Sequence, residues 1–235
     1  MRAEQVLIPS DSVRLEGLLT IPAQAAGIVV FAHGSGSSRL SPRNRYVAEA
    51  LQQTGIGTLL FDLLTDDEAR DPENVFDIDF LGHRLFDATR WLRGREGDRY
   101  PIGYFGASTG AAAALVAAAR DRSIAAVVSR GGRPDLAAAY LERVMAPTLL
   151  IVGGEDDPVI AMNQEAYARL RCEKALEIVP GATHLFEEPG TLEEVVRLAR
   201  QWFARYLSAA AVGASPDPLP DYDDMIFEDR ADAGR

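Results

Sequence analysis

Tyr104-Phe105-Gly106-Ala107-Ser108-Thr109-Gly110-Ala111 is a G-x-S-x-G pattern that closes an apolar run (Ile102 to Phe105) and opens an alanine-rich one (Ala111 to Ala119). The first run reads as a buried strand and the second as a helix, which puts Ser108 on the turn between them. A serine in that place turns sharply with strained backbone angles, so its neighbours need very small side chains, and Gly106 and Gly110 supply them. Taken singly, Ser108 is also what an ordinary tight turn would hold. The weight of the pattern rests on the rest of the chain.

Outward from this junction, strand-like and helix-like segments alternate to about residue 207, the signature of a mostly parallel, twisted α/β sheet with helices on both faces. Residues 27–32, 58–62, 102–105, 125–129, 148–152 and 176–179 are short apolar runs of buried strands, and 13–20 alternates as an antiparallel edge strand would. Helices are expected over 43–53, 77–93, 111–119, 136–142, 162–170 and 192–207. In the last, Leu192, Val195, Val196, Ala199, Trp202, Phe203 and Tyr206 fall on one face, which makes the aromatics core. The longest irregular connection is 63–75, and no inserted block is large enough to form a lid domain. Residues 1–207 therefore read as one domain, and 208–235, with Pro216, Pro218 and Pro220, as a flexible tail.

Composition excludes several function classes. The chain has 235 residues, 47% of them hydrophobic and 25% charged, and no run approaches the roughly 20 apolar residues of a membrane span. A net charge of -11 opposes binding to nucleic acid or to an anionic membrane. Much of that charge is local, with seven acidic residues against two arginines from Asp217 to Arg235. The N-terminus carries charge and a proline where a signal peptide would be apolar. Cys172 is the only cysteine, which rules out an intrachain disulfide and a thiolate metal cluster and fits a reducing cytoplasm. It is expected in a helix, as a packing residue.

A serine nucleophile needs a base, and the base needs a group to orient it; on a sheet of this kind they follow in the order Ser, Asp or Glu, His. Three histidines are present. His33 precedes Ser108 and reads as a structural residue bonded to its loop, and His83 falls within a helix. His184 follows the last strand, at the carboxyl end where ligands meet open α/β sheets, and is the candidate base. The preceding strand ends in Gly153-Gly154-Glu155-Asp156-Asp157-Pro158, where spacing favours Asp156 as the acid over Asp157, which faces solvent or opens the next turn. Thr109 N–H, at the helix start, is one expected oxyanion donor. Ser35 N–H, from the loop His33-Gly34-Ser35-Gly36-Ser37-Ser38, is the other. Leu40, Leu64, Met162, Leu185 and Phe186 are candidates for the substrate pocket. Arg39, Arg43, Arg45, Arg130 and Arg133 also fall near carboxyl ends of strands, where their forks suit an anionic substrate, although ion pairs with the surplus acids are the simpler account.

The stretches 33–38, 106–110, 129–135 (Ser129-Arg130-Gly131-Gly132-Arg133-Pro134-Asp135) and 180–186 (Pro180-Gly181-Ala182-Thr183-His184-Leu185-Phe186) together resemble the dienelactone-hydrolase-like branch of the α/β-hydrolases over roughly residues 5 to 207. One departure matters. Dienelactone hydrolases proper carry cysteine where this chain has Ser108, and a serine must be activated by His184 before it attacks. The resemblance therefore implies a serine carboxylesterase acting on small soluble esters, without metal or organic cofactor. Because some bacterial members are fused to phosphoribosyltransferase domains, it also implies such a domain as a partner. An amidase, thioesterase or lactone hydrolase on the same residues is the alternative within enzymes. The alternative outside them is a non-catalytic binding protein that keeps the fold.

Overall fold

Runs of five or six apolar residues with no polar face must be covered on both sides, and the covering helices set the architecture. A computed structural model of the chain describes residues 1–207. Residues 208–235, read above as a tail, lie outside the described residues. Eight strands, β1 (Arg2–Ser10), β2 (Val13–Ile21), β3 (Ile28–Ala32), β4 (Gly57–Phe61), β5 (Ile102–Ala107), β6 (Ala126–Arg130), β7 (Thr148–Gly153) and β8 (Lys174–Val179), form one sheet in the order β1-β2-β4-β3-β5-β6-β7-β8. β1–β2 and β2–β4 pair antiparallel and the remaining pairs are parallel. Every residue of β3, β4, β5, β6 and β7 is buried.

The helices are α1 (Pro42–Gln53), α2 (Pro72–Phe76), α3 (Ile78–Glu96), α4 (Thr109–Arg120), α5 (Asp157–Arg169) and α6 (Thr191–Tyr206). Alternate strand residues feed two cores. Val30, Tyr104, Val127 and Leu150 pack with α3 and α4, whereas Phe31, Phe105, Val128 and Ile151 pack with α1 and α6. α4 is buried on all sides from Thr109 to Ala118, and its alanines let it lie close to the sheet and to α3. The fully buried Tyr104 hydroxyl is paired with Thr89 Oγ1 at 2.8 Å. Burial pushes the Tyr104 phenol well above its ordinary pKa.

Five elements differ from the sequence reading, among them α2, which lies at the end of the connection expected to be irregular. β1 is an unexpected strand, in which Val6, Ile8 and Ser10 alternate inward and Pro9 is tolerated because the strand lies at the edge. Its presence makes β2 an interior strand rather than the edge. The helix expected over 136–142 is instead two short 3₁₀ turns, Pro134–Ala137 and Leu141–Arg143, which fold Ala137 and Leu141 into the core. α5 starts at Asp157 rather than at residue 162, because Pro158 occupies the first turn, where its missing N–H costs nothing. Cys172 lies in the bend between α5 and β8, outside any helix.

Candidate active site

β5 ends in the centre of the sheet, and Ser108 leaves it with φ 53 and ψ -122, left-handed angles that a serine adopts only under strain. The glycines beside it are forced by close approach. A Cβ on Gly106 would lie 2.4 Å from Ala111 Cα, and one on Gly110 would lie 2.2 Å from the Ala32 carbonyl oxygen. The start of α4 is thereby pressed against the end of β3 and the loop that follows it. Ser108 N–H donates to the Arg130 carbonyl at 3.2 Å, and the Ser108 carbonyl accepts from Arg133 N–H at 3.1 Å. The turn is thus locked to the end of β6.

Two further loops meet above it. Gly154 N–H donates to the Val179 carbonyl at 2.8 Å and Glu155 N–H to the Ala182 carbonyl at 2.9 Å, so the connections after β7 and β8 are tied backbone to backbone. The Glu188 carboxylate accepts from Thr183 N–H at 3.1 Å and from Thr183 Oγ1 at 2.6 Å, which closes the loop around His184. These bonds hold Glu188 below the usual carboxylate pKa.

The result is a three-residue chain: Asp156 Oδ2 lies 2.7 Å from His184 Nδ1, and His184 Nε2 lies 3.3 Å from Ser108 Oγ. An ionised carboxylate only accepts, so the His184 proton sits on Nδ1 and the Nε2 lone pair faces the serine hydroxyl. Asp156 is mostly buried and His184 about one-third exposed. Asp157, the alternative acid, is exposed in the first turn of α5, where its charge favours the helix N-terminus.

On the other side of Ser108, Thr109 is the first residue of α4, where a backbone N–H has no intrahelical acceptor. The Ser35 amide, expected to reach an oxyanion directly, instead donates to Thr109 Oγ1 at 2.8 Å. This contact arises because Gly110 lets the two loops approach closely. His33 is structural, as the sequence suggested. Its Nε2 accepts from Leu63 N–H at 3.0 Å, which puts its own proton on Nδ1, 3.0 Å from the Gly34 carbonyl. Burial lowers its pKa and keeps the ring neutral.

A cavity of about 560 Å³ opens beside Ser35 and Thr109, walled by Leu15, Leu40, Leu63, Leu64 and Val75, with Glu16, Arg39 and Asp62 also on its lining. Arg39 pairs with Asp62 and Glu16. Of the residues expected to form a substrate pocket, Leu40 and Leu64 line this cavity; Met162, on α5, and Leu185, 40% exposed beside His184, do not. Phe186 departs furthest from its expected place. Its backbone is left-handed (φ 56), which turns the ring into the core under α6, where it is 1% exposed. The wall residue Leu15 is not evident in the sequence because β2 reads there as a remote edge strand, and Leu63 is not because it opens the irregular connection after β4.

Arg43 pairs with Glu187 at 2.8 Å and Arg133 with Asp135 at 2.7 Å, as the surplus of acids suggested. Arg130 lies over the Phe186 ring at 5.8 Å, and burial together with the neighbouring charge of Arg43 brings its pKa down to about 10. The Cys172 thiol donates to Thr148 Oγ1 and is pushed up by burial, the opposite of what a nucleophilic cysteine needs. Among the described residues one group could hold a cation, Asp11, His83 and Asp87 on the β1–β2 turn and α3, but Arg84 already lies 3.7 Å from Asp11. No helix among the described residues is long and apolar enough to cross a membrane.

Comparison with known proteins bears on this geometry. A dienelactone hydrolase of Anabaena variabilis, known from its crystal structure, is 55% identical with a TM-score of 0.84, covering 87% of this chain and 98% of its own. Proteins of two Mycobacterium tuberculosis strains, provisionally named phosphoribosyl transferases, are 58% identical over 209 residues, 88% of this chain and 47% of theirs. The chain thus spans about half the length of the curated relatives it matches. A thiohydrolase of Aspergillus aculeatus is 28% identical over 163 residues, 68% of this chain and 50% of that protein. The model of the dienelactone hydrolase family matches residues 15–209. With that match running from β2 through α6 and over both loops that carry Asp156 and His184, the chain belongs to the dienelactone hydrolase family.

Proposed function

We propose that the protein is a serine hydrolase that cleaves small carboxylic esters through an acyl-enzyme on Ser108. The observation that carries this reading is the unbroken run from Asp156 through His184 to Ser108, at 2.7 and 3.3 Å, on a strained strand-to-helix turn. His184 Nε2 takes the Ser108 proton as Oγ attacks the ester carbonyl carbon, and the carbonyl electrons move onto oxygen beside Thr109 N–H. As this intermediate collapses, the C–O bond to the alcohol breaks and His184 hands its proton to the departing oxygen. His184 then deprotonates a water that attacks the acyl carbon, releasing the acid and restoring Ser108. Asp156 keeps the proton on Nδ1 throughout and stabilises the imidazolium. Every step uses groups of the chain and water, so the reaction calls for no metal or organic cofactor.

Labelling by a fluorophosphonate tests the reading. Native protein is expected to label and Ser108→Ala to lose the label; a native protein that stays unlabelled would overturn the reading in favour of a binding protein, and equal labelling of both would overturn it by showing that Ser108 is not the reactive residue. A panel of p-nitrophenyl esters from acetate to decanoate then ranks acyl length, with short chains expected to win. The Aspergillus thiohydrolase supports thioesters as the second reading; a higher kcat/KM on an acetyl thioester than on p-nitrophenyl acetate would favour it. The lone Cys172 supports a cytoplasmic setting. Association with a phosphoribosyltransferase draws its support from the longer mycobacterial relatives and is checked by co-purification with such an enzyme from the native host.

A further inference from the structure

The contact between Ser35 and Thr109 changes which atoms can meet the oxyanion. An amide has one proton, and that of Ser35 is aimed at Thr109 Oγ1, 2.8 Å away. A threonine hydroxyl that accepts this bond still has its own proton to give. In a helix that proton usually goes to the carbonyl four residues back, but here that residue is Phe105, inside β5, because Thr109 is the first residue of α4. Among the described residues no other hydrogen bond to Thr109 Oγ1 is found. Thr109, the residue after Ser108, is 3% exposed and lines the cavity together with Ser35. A buried donor is normally retained only where something accepts from it.

We propose that the Thr109 hydroxyl is itself an oxyanion donor, with the Ser35 amide behind it. The inference rests on the serine-hydrolase reading above. Thr109 then contributes twice, through its backbone N–H and through Oγ–H, and Ser35 acts as a positioning residue. Accepting a bond from an amide polarises the hydroxyl and makes it a stronger donor, so the amide's pull is passed to the developing charge without a proton being transferred. The donation is worth most when the carbonyl oxygen becomes negative, so it acts on the transition state more than on the bound ester. A hydroxyl serving only to anchor the 33–38 loop would have no such bias.

The test uses the full chain with p-nitrophenyl acetate as substrate and phenylboronic acid as a probe that forms a tetrahedral adduct on Ser108. In Thr109→Val the hydroxyl is lost at nearly constant shape. Its kcat is expected to fall by about 10²-fold or more with KM little changed, and phenylboronic acid binding to weaken in parallel. Thr109→Ser should recover most of both. Wild-type kcat and boronate affinity in Thr109→Val, or a gain in either, would overturn the proposal and mark the hydroxyl as an anchor or a plug. Should Thr109→Val not fold, the wild type decides alone: in its boronate adduct the Thr109 hydroxyl proton should exchange slowly enough to be seen by NMR, and a freely exchanging one overturns the proposal. Fluorophosphonate labelling of the wild type separates the two levels, since an unlabelled wild type defeats the hydrolase reading itself, whereas a labelled, active wild type with an equally active Thr109→Val defeats only this one.

Discussion

His33 and His184 both stand just beyond carboxyl ends of strands on the same edge of the sheet, and both have partners at both ring nitrogens, yet only one is arranged as a base. The partners of His33 are the Leu63 amide and the Gly34 carbonyl, backbone groups that never titrate or react. Those of His184 are a carboxylate and a hydroxyl. A backbone donor on Nε2 consumes the lone pair that a base must offer, and burial then keeps His33 neutral. What surrounds an imidazole, rather than its place on the fold, decides whether it ties loops together or moves protons.

The largest effect that bears on this contrast is expected from Ser108→Ala or His184→Ala, each lowering kcat by about 10⁶-fold, with the double variant little worse because the residues act as a unit. Steady-state turnover of p-nitrophenyl acetate measures it, and simple additivity of the two losses would break the picture of one connected chain. Asp156→Asn should cost about 10⁴-fold by spoiling the tautomer of His184, while the exposed Asp157→Asn leaves turnover nearly intact. The reverse result would move the acid to Asp157.

His33→Ala should act on stability instead. Leaving the buried Leu63 amide without an acceptor costs about 1–3 kcal/mol, and each kcal/mol lowers Tm by about 2–4 °C in a domain of this size. The pH dependence has a definite sign. Folding lowers the His33 pKa below 6.5, so the unfolded chain binds more protons between the two values, and this contribution is complete above 6.5 and lost as pH falls through the folded value. Thermal melts from pH 7.5 to pH 5 should show a steeper loss in wild type than in His33→Gln; parallel curves would remove His33 from that role. The smallest change belongs to Arg43→Gln. Its pair with Glu187, on the His184 loop, is largely solvated, so stability should move by under about 1 kcal/mol in denaturant melts.

The contrast also explains what could be seen in the chain before its fold. The Gly106, Ser108, Gly110 junction is a local signal, and the order of Asp156 and His184 behind it follows from topology; these three are the residues the fold brings within hydrogen-bond reach. β1 escaped because its outward positions include the apolar Ala3 and Leu7, which blur the alternation, and because Pro9 interrupts it, which is tolerable only at an edge. The start of α5 was hidden by Pro158, which breaks a helix anywhere except at its beginning. Phe186 was misplaced because a left-handed φ at a phenylalanine has no sequence signature. The Ser35 to Thr109 bond joins residues 74 apart and depends on how tightly two loops approach, a distance that no periodicity encodes.

The cavity lies on the Ser35 and Thr109 side of the nucleophile, while His184 faces the more open side with the exposed Leu185 beside it. In the proposed cycle His184 protonates the leaving oxygen, so the alcohol half of an ester sits toward solvent and the acyl half toward the walled space. On the proposed mechanism, selectivity should therefore be asymmetric across the scissile bond. Bulky or branched alcohols should be accepted and leave first without obstruction, whereas a longer acyl chain would meet the wall of Leu15, Leu63 and Leu64.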